Sequence, residues 1–231
     1  MPAPDAVLFD LDSTLCVSEQ SDHEIHEAVF DRVDAEPFFS PADVRAVDSE
    51  DLPTAHSDRG FYENLYAAVT ADVGRDPGEI PLGELAAATV EVVDETAVTF
   101  RDGGREALEY ARERGPVGLV TNGGETNQRA KLEQLGIADA FDATVFCDPA
   151  AGVHPKPHPA PFRRALDGLN ATPERSVYVG DSLGADVAGA NDLGMTSVWV
   201  PFERPHEDLP ADPDPEPTYL LDSPAELPNV L

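Results

Sequence analysis

Two aspartates, Asp10 and Asp12, stand two positions apart directly after the apolar run Ala6–Phe9. Side chains two apart on an extended segment point to the same side, so the two carboxylates are expected to be held together. Their mutual repulsion calls for a cation or a proton. Phosphate transfer uses both, because one carboxylate can attack phosphorus while the other protonates the leaving oxygen and later activates water. A polar strand end that caps a helix is the structural alternative.

A second polar segment, Thr121-Asn122-Gly123-Gly124, also follows an apolar run. A hydroxyl group and backbone N–H groups freed by glycine suit a phosphate oxygen. An ordinary turn between a strand and a helix is the alternative.

Lys156 lies in the segment 154–159, in which histidine and lysine alternate with proline. The prolines stiffen this loop, and an ammonium held there could offset the negative charge of a site. The chain has only one other lysine, Lys131. A solvated loop lysine is the alternative. His154 and His158 are predicted to be loop histidines rather than a metal pair, because the prolines exclude a shared helical face.

Asp181 and Asp186 follow the apolar run 177–179. Asp181 would leave the strand end as a hard oxygen ligand suited to Mg²⁺. Asp186 opens the next predicted helix, where it could brace Lys156 or a metal-bound water. Favourable charge at a helix N-terminus is its alternative role.

Alternating strand-like and helix-like segments must position these residues. They predict an α/β fold, a Rossmann-like parallel sheet with helices on both faces, whose ligands lie beyond the carboxyl ends of the strands. The predicted strands are 6–9, 117–121, 143–146, 176–179 and 197–200, and the predicted helices are 103–114, 126–135, 159–169 and 186–193.

The first two predicted strands are too far apart for one crossover, which predicts an inserted domain. The core is assigned to 1–16 and 99–231, and the insert to 17–98, a helical cap with helices at 22–33, 61–73 and 82–96. His23 and His26 are expected on a solvated helix face. Further on, 201–217 is predicted to be irregular, followed by a strand at 219–221 and a short helix near Ser223. Candidate substrate contacts from the cap are Arg32, Arg45, Arg59 and Arg75.

The composition is strongly acidic, with a formal net charge of −30 and two lysines against thirteen arginines. This balance resembles proteins of salt-accumulating archaea, and screening by salt should relieve the self-repulsion. An ordinary acidic protein is the alternative. Nucleic acid is not an expected partner, because it needs a basic patch.

No apolar run reaches membrane-spanning length, and the first residues do not form an export signal, so a cytoplasmic protein without a membrane partner is expected. Cys16 and Cys147 are predicted to be free thiols. The oligomeric state is expected to be monomer or homodimer.

Together and in this order, the motifs closely resemble the haloacid dehalogenase superfamily, in its phosphatase form with an inserted cap. The resemblance implies that Asp10 is the nucleophile of an aspartyl-phosphate mechanism and that Asp12 is the acid/base. It implies Mg²⁺ held by Asp10, the Asp12 main-chain carbonyl and Asp181, with Asp186 behind them. It further implies phosphate contacts from Thr121, Asn122 and Lys156, and a small phosphorylated metabolite as substrate.

Two positions depart from the family pattern. Ser13 replaces the usual glycine after the second aspartate, and Asp102-Gly103 replaces a common Pro-Gly pair. Neither change removes a reactive group. Asp12 itself argues against the dehalogenase branch, whose members lack that acid.

Three other functions remain as alternatives. A sugar-phosphate mutase uses the same aspartates but excludes water. A phospho-receiver module needs adjacent acids on its first strand and has no large insert. The third is a non-catalytic relative that binds a partner. The sequence leaves open whether the substrate is a sugar phosphate, phosphoglycolate, a nucleotide or flavin mononucleotide.

Overall fold

The computed structural model describes residues 4–47, 52–202 and 212–231. The chain divides into two compact units. Unit 1 comprises Met1–Val17 and Val98–Leu231, and unit 2 comprises Ser18–Ala97. The interpretation of unit 2 as a cap stays a prediction.

The described residues form eight strands. In chain order they are β1 (Ala6–Phe9), β2 (Cys16–Ser18), β3 (Val98–Phe100), β4 (Val117–Asn122), β5 (Ala143–Cys147), β6 (Ser176–Gly180), β7 (Thr196–Trp199) and β8 (Tyr219–Leu220). Six of them form one sheet in the order β5-β4-β1-β6-β7-β8, and every neighbouring pair is parallel. Strands β2 and β3 form a separate two-stranded sheet, at the two points where the chain passes between the units.

The helices are α1 (Asp22–Arg32), α2 (Pro41–Ala46), α3 (Asp58–Asp72), α4 (Leu82–Val92), α5 (Gly104–Arg112), α6 (Glu125–Gln134), α7 (Pro159–Leu169) and α8 (Ala188–Asp192). One π-helical turn, Leu183–Val187, leads into α8, and a 3₁₀ helix, Pro224–Asn229, follows β8.

Strand β1 lies at the centre of the sheet and is buried on both faces. Val7 and Phe9 belong to one hydrophobic cluster, together with residues of α5 and α6. Ala6 and Leu8 belong to a second cluster, together with residues of α7 and α8. This alternation is expected of a parallel sheet covered by helices on both faces. Because β1 is central, the residue after Phe9 lies near the middle of the sheet edge formed by the carboxyl ends of the strands.

Three helix predictions differ from the structure by three residues or more. The predicted helix 61–73 begins earlier, at Asp58. The predicted helix 82–96 ends at Val92, because the Gln20 side chain binds the chain there: its Nε2 donates to the Val92 carbonyl at 3.0 Å, and its Oε1 accepts from the Asp94 N–H at 2.7 Å. The predicted helix 186–193 begins earlier, at Leu183, because the π-helical turn includes its first two residues and α8 follows from Ala188. The elements that were not predicted are strands β2 and β3, helix α2 and the 3₁₀ turns Pro77–Glu79, Pro149–Ala151 and Pro173–Arg175.

Unit 2 is built around an aromatic core in which Phe30, Phe39 and Tyr66 are buried. Its helix α3 buries Leu65, Tyr66 and Val69, whereas Phe61 near its start is exposed. The solvated position predicted for His26 is wrong. Its ring packs against Phe30 and Phe39, and its Nε2 lies 2.8 Å from the Phe39 carbonyl oxygen.

Both cysteines are buried and free, as predicted, and burial raises the pKa of each thiol. No helix in the described ranges is both long enough and apolar enough to span a membrane. Most of the connection predicted to be irregular, 203–211, lies outside the described residues.

Candidate active site

Asp10 follows the central strand β1 directly and is buried, with 6% of its surface exposed. Its main-chain N–H donates to the Val179 carbonyl at 2.9 Å, which ties it to the neighbouring strand β6. Burial raises the pKa of Asp10 to about 7, a rise that Lys156 opposes and Asp186 reinforces. The Asp10 carboxylate is therefore shielded from solvent at the edge of the sheet, where its ionised form needs a positively charged partner.

Lys156 supplies that partner. Its Nζ lies 2.6 Å from Asp10 Oδ1 and 2.7 Å from Asp186 Oδ1, and it donates to the Tyr178 hydroxyl at 3.1 Å. The Lys156 main-chain N–H donates to Asn122 Oδ1 at 2.9 Å, which fixes the loop against the end of β4. Burial alone would lower the pKa of Lys156, but the two carboxylates raise it well above its usual value. The Lys156 ammonium is thus charged, and its three N–H groups donate to Asp10, Asp186 and Tyr178.

Asp10, Asp181 and Asp186 bring one carboxylate oxygen each within 4.8 Å of one another. In the described part of the chain, this is the one group of three or more acidic, histidine or cysteine ligands close enough to hold a metal ion. Burial, followed by the charges of Asp10 and Asp186, raises the pKa of Asp181 well above its usual value. The Thr14 hydroxyl lies 3.5 Å from Asp10 Oδ2 and 3.4 Å from Asp181 Oδ1.

The charges of this cluster fit a divalent cation. When all three carboxylates are ionised, the single ammonium of Lys156 offsets one of their charges, and the raised pKa values of Asp10 and Asp181 show that the remaining excess is unfavourable without a further cation. All three acids offer hard oxygen donors, which Mg²⁺ prefers. Asp10 and Asp181 are the residues predicted as side-chain ligands. The structure adds Asp186 to the same cluster, and the contribution of the Asp12 main-chain carbonyl stays a prediction.

Gly180 allows Asp186 to reach the cluster. A Cβ atom at Gly180 would collide with the Asp186 carboxylate, so only glycine permits this close approach. The Asp186 carboxylate also accepts the Ser182 N–H at 3.1 Å, which folds the side chain back over the π-helical turn. Asp186 thus contacts Lys156 and also lies in the first turn after the cap residue Ser182, so these two predicted positions are compatible with each other. Its role toward a metal-bound water stays a prediction.

Asp12 contacts a different part of unit 1. Its Oδ1 accepts from Lys131 Nζ at 2.9 Å, and its Oδ2 accepts from Gln128 Nε2 at 2.9 Å. Both donors come from α6. Neither contact was predicted from the sequence, in which Lys131 stood out only as one of two lysines and Gln128 did not stand out at all.

The residues predicted to bind phosphate lie at the end of β4. Thr121 is buried, and its hydroxyl lies 3.5 Å from the Asn122 carbonyl oxygen. The Asn122 side chain is connected to the site because its Oδ1 accepts a hydrogen bond from the Lys156 main-chain N–H. Gly123 follows with φ +131°, a conformation that favours glycine. Their roles toward phosphate stay predictions.

Ser13 adopts φ +60°, a left-handed conformation that favours glycine, which is the residue expected here from the family pattern. Arg101 supports this turn, a role that the sequence analysis missed. Its buried guanidinium donates to the carbonyl oxygens of Ser13 at 2.7 Å, Val200 at 2.7 Å and Pro201 at 2.8 Å. The loop that carries both aspartates is therefore fastened to the end of β7.

The other residues considered from the sequence, two histidines and four arginines, contact residues close to them in the structure. His154 and His158 stack with ring centroids 4.0 Å apart, and His158 Nδ1 accepts from the Ala160 N–H at the start of α7. The four arginines of unit 2 contact other residues of that unit, and their predicted substrate contacts stay untested. The contacts are Arg32 with Glu91, Arg45 with Asp22, Arg59 with Glu63, and Arg75 over the Phe38 ring.

Comparisons with known proteins agree with this geometry. A family model described as haloacid dehalogenase-like hydrolase matches residues 4–194. Over 240 aligned residues, the chain is 30% identical to the glyceraldehyde 3-phosphate phosphatase of Methanopyrus kandleri, covering 98% of this chain and 96% of that protein. It is 31% identical to the ribulose-1,5-bisphosphate 5-phosphatase of Halopiger xanaduensis, covering 84% of this chain and 83% of that protein.

Among solved structures, the magnesium-bound HAD-hydrolase YfnB of Bacillus subtilis has a TM-score of 0.71 at 19% identity, covering 98% of this chain and 97% of that one. This likeness confirms the predicted Rossmann-like fold. The predictions of the superfamily and of a hydrolase of its phosphatase type are confirmed as well. The chain belongs to the haloacid dehalogenase-like hydrolase family.

Proposed function

We propose that this protein is a Mg²⁺-dependent phosphatase that hydrolyses a small phosphate monoester through an aspartyl-phosphate on Asp10. One observation carries the proposal: a buried strand-end carboxylate lies 2.6 Å from a buried ammonium and within 4.8 Å of two further carboxylates. Such a site repels a phosphate dianion unless a cation is bound, and it excludes the water that would weaken its electrostatic interactions.

Asp10 is the proposed nucleophile. Its Oδ1 is engaged by Lys156, whereas its Oδ2 accepts only a long contact of 3.5 Å from Thr14 among the described residues. In the first step an Asp10 oxygen forms a bond to phosphorus while the bond from phosphorus to the ester oxygen breaks. Lys156 stabilises the negative charge on the transferring group.

Asp12 is the proposed acid and base. It donates a proton to the departing ester oxygen, then accepts a proton from the water that attacks phosphorus and releases inorganic phosphate. Asp10 is regenerated as a carboxylate. Thr121 and Asn122, at the neighbouring strand end, are proposed to bind the phosphate oxygens.

The proposed Mg²⁺ ligands are Asp10, Asp181 and the main-chain carbonyl of Asp12, with Asp186 behind them. When bound, the ion would neutralise charge between the carboxylates and the phosphate. Asp186 then has a separate task, because its contact with Lys156 keeps that ammonium in place.

The proposed substrate is a small phosphorylated carbohydrate. Two relatives that align along most of this chain are named as phosphatases of glyceraldehyde 3-phosphate and ribulose 1,5-bisphosphate. The cytoplasm and adaptation to high salt are proposed as its setting. They rest on the acidic composition and on the sequence-based expectation of a protein that is not exported.

The test is phosphate release from a panel of monoesters in molar KCl, with and without Mg²⁺. The panel contains glyceraldehyde 3-phosphate, ribulose 1,5-bisphosphate, phosphoglycolate, a nucleoside monophosphate and flavin mononucleotide. We expect release that requires Mg²⁺ and is abolished in Asp10→Asn, with circular dichroism unchanged, because a neutral amide cannot form the acyl phosphate. Isomerisation without phosphate release would identify a mutase, and full activity after dialysis against EDTA would exclude the metal.

A further inference from the structure

The carboxylate of Asp12 is held by two side chains from one helix. Lys131 and Gln128, three positions apart on α6, lie on the same helical face and each donate to a different oxygen of Asp12 at 2.9 Å. An ionised carboxylate has about four lone-pair sites. Oδ1 also accepts a longer contact of 3.9 Å from Cys16 Sγ, whereas Oδ2 accepts from Gln128 and keeps a site for a proton. The two contacts therefore fix the orientation of Asp12 without blocking it.

These contacts differ from an ordinary surface ion pair. The Lys131 side chain is 12% exposed, although most charged side chains in the described ranges lie at the surface. Gln128 is buried, and among the described residues its Oε1 has no hydrogen-bond partner. An unpaired buried carbonyl is unfavourable, so this side chain is not optimised for stability alone.

The local backbone is shaped to admit Gln128. A Cβ atom at Gly123 would lie 2.5 Å from Gln128 Nε2, so glycine there clears the space. The same Nε2 also donates to the Asn122 carbonyl at 3.1 Å. One amide thus links Asp12 to the β4 strand end, where the proposed phosphate-binding residues lie.

We propose that Gln128 and Lys131 are positioning residues that orient the Asp12 carboxylate for proton transfer to the leaving group. The proposal rests on the acid/base role of Asp12 in the proposed function. Proton transfer needs a heavy-atom separation of about 2.6–3.2 Å, and Asp12, whose side chain is 43% exposed, could otherwise occupy several rotamers. Two donors from a rigid helix select one of them.

The experiment compares leaving groups. Kinetics of Lys131→Met and Gln128→Met are measured with p-nitrophenyl phosphate, whose leaving group needs little protonation, and with an alkyl phosphate that the wild type hydrolyses. With the alkyl ester we expect kcat to fall about 10-fold or more, with KM nearly unchanged, because a misplaced catalytic group slows the chemical step. With p-nitrophenyl phosphate the loss should be much smaller.

Three further variants control this result. Arg129→Met removes one positive charge from the same helix at an exposed pair with Glu125, so it should leave both rates unchanged. Lys131→Arg keeps a charged donor and should recover most of the alkyl-ester rate. Adding Lys131→Met to Asp12→Asn should cause no further loss. If Lys131→Met fails to fold, Gln128→Met and Lys131→Arg carry the test.

Two results overturn the proposal. A loss that is equal for both leaving groups, or a rise in KM with kcat intact, would make these side chains structural or substrate contacts. In that case Asp12→Asn still shows the leaving-group dependence, and the proposed function stands. If Asp12→Asn shows no such dependence, the acid role and the positioning role both fall.

Discussion

The strand-end site of unit 1 and the helical unit 2 use charge in opposite ways. At the site, the side chains of Lys156, Asp10 and Asp186 are 3%, 9% and 2% exposed and contact one another directly. In unit 2, Arg59 and Glu63 pair while 58% and 42% exposed, and Arg45 pairs with Asp22 at similar exposure. Burial makes each charge at the site depend on its partner, whereas water screens the pairs of unit 2.

The two units also differ in charge density. Unit 2 has twenty acidic residues and four arginines in Ser18–Ala97, whereas the longer unit 1 has twenty-five acidic residues and eleven lysines and arginines. Unit 2 therefore holds more than its share of unbalanced negative charge. The acidic composition is concentrated in the unit that lacks the strand-end site.

Lys156→Met should give the largest change in stability. Removing the ammonium leaves Asp10 and Asp186 buried without their partner, which we expect to cost about 3–5 kcal/mol. The measurement is urea unfolding without divalent cations, followed by the fluorescence of Trp199. This is the only tryptophan of the chain, and it is buried in unit 1. A loss below about 1 kcal/mol would show that the buried pairs behave like surface pairs.

Mg²⁺ should stabilise unit 1 more at pH 8 than at pH 5. Burial raises the pKa of Asp10 from 3.8 to about 7, so between these values the metal-free native state binds a proton that the unfolded chain releases. Its stability therefore falls as the pH rises through this range. At pH 8 Mg²⁺ meets an ionised carboxylate, whereas at pH 5 it must displace the proton.

The measurement is the thermal midpoint of Trp199 fluorescence with and without Mg²⁺ at each pH. At one hundred times its dissociation constant, a ligand contributes about 2.7 kcal/mol. Asp181→Asn should reduce the gain at both pH values. A gain at pH 5 equal to that at pH 8 would contradict the site as described.

Salt should stabilise unit 2 more steeply than unit 1. Its higher density of acids gains more from screening, as the Debye length falls from about 10 Å at 0.1 M to about 3 Å at 1 M. Helical circular dichroism, to which the helices of both units contribute, is compared between 0.1 M and 2 M KCl with Trp199 fluorescence, which reports on unit 1. The difference between the two transitions reports on unit 2. Replacing several exposed acids of unit 2 by Asn or Gln should flatten its dependence. Melting that is identical at both concentrations would refute adaptation to salt.

Arg59→Met should have the smallest effect. Its exposed pair with Glu63, four positions along α3, contributes about 0.5 kcal/mol or less. The same urea titration, followed by circular dichroism, measures it. Like Lys156→Met, it removes one positive charge, so it is the matched comparison for burial. A loss of several kcal/mol in the free energy of unfolding would show that exposed and buried ion pairs in this protein contribute alike.

The sequence was sufficient to predict the parallel core and the neighbourhood of Asp10, Asp181 and Lys156. Each of these residues follows a buried strand or lies in a short proline loop, so its position depends on local pattern. Neighbouring parallel strands bring their carboxyl ends together, which makes the assembly of the site follow from the fold.

The contacts of Asp12 could not be predicted in the same way. Gln128 and Lys131 lie more than one hundred positions away in the sequence, and α6 is polar on most of its surface, so no apolar stripe marks its inner face. The left-handed conformation of Ser13 and its support by Arg101 also depend on tertiary contacts. A serine in place of glycine gave the only local signal.

Transfer of a phosphoryl group to Asp10 is tested by trapping the aspartyl-phosphate itself. Wild-type enzyme turning over substrate with Mg²⁺ in molar KCl is quenched in acid within milliseconds and reduced with borohydride, which converts an aspartyl-phosphate to homoserine. Peptide mass spectrometry then locates the reduced residue. We expect homoserine at position 10 and none without substrate. The amount should be larger in Asp12→Asn, because the attacking water then lacks its base. Reduction at another residue, or none during active turnover, would contradict this transfer to Asp10.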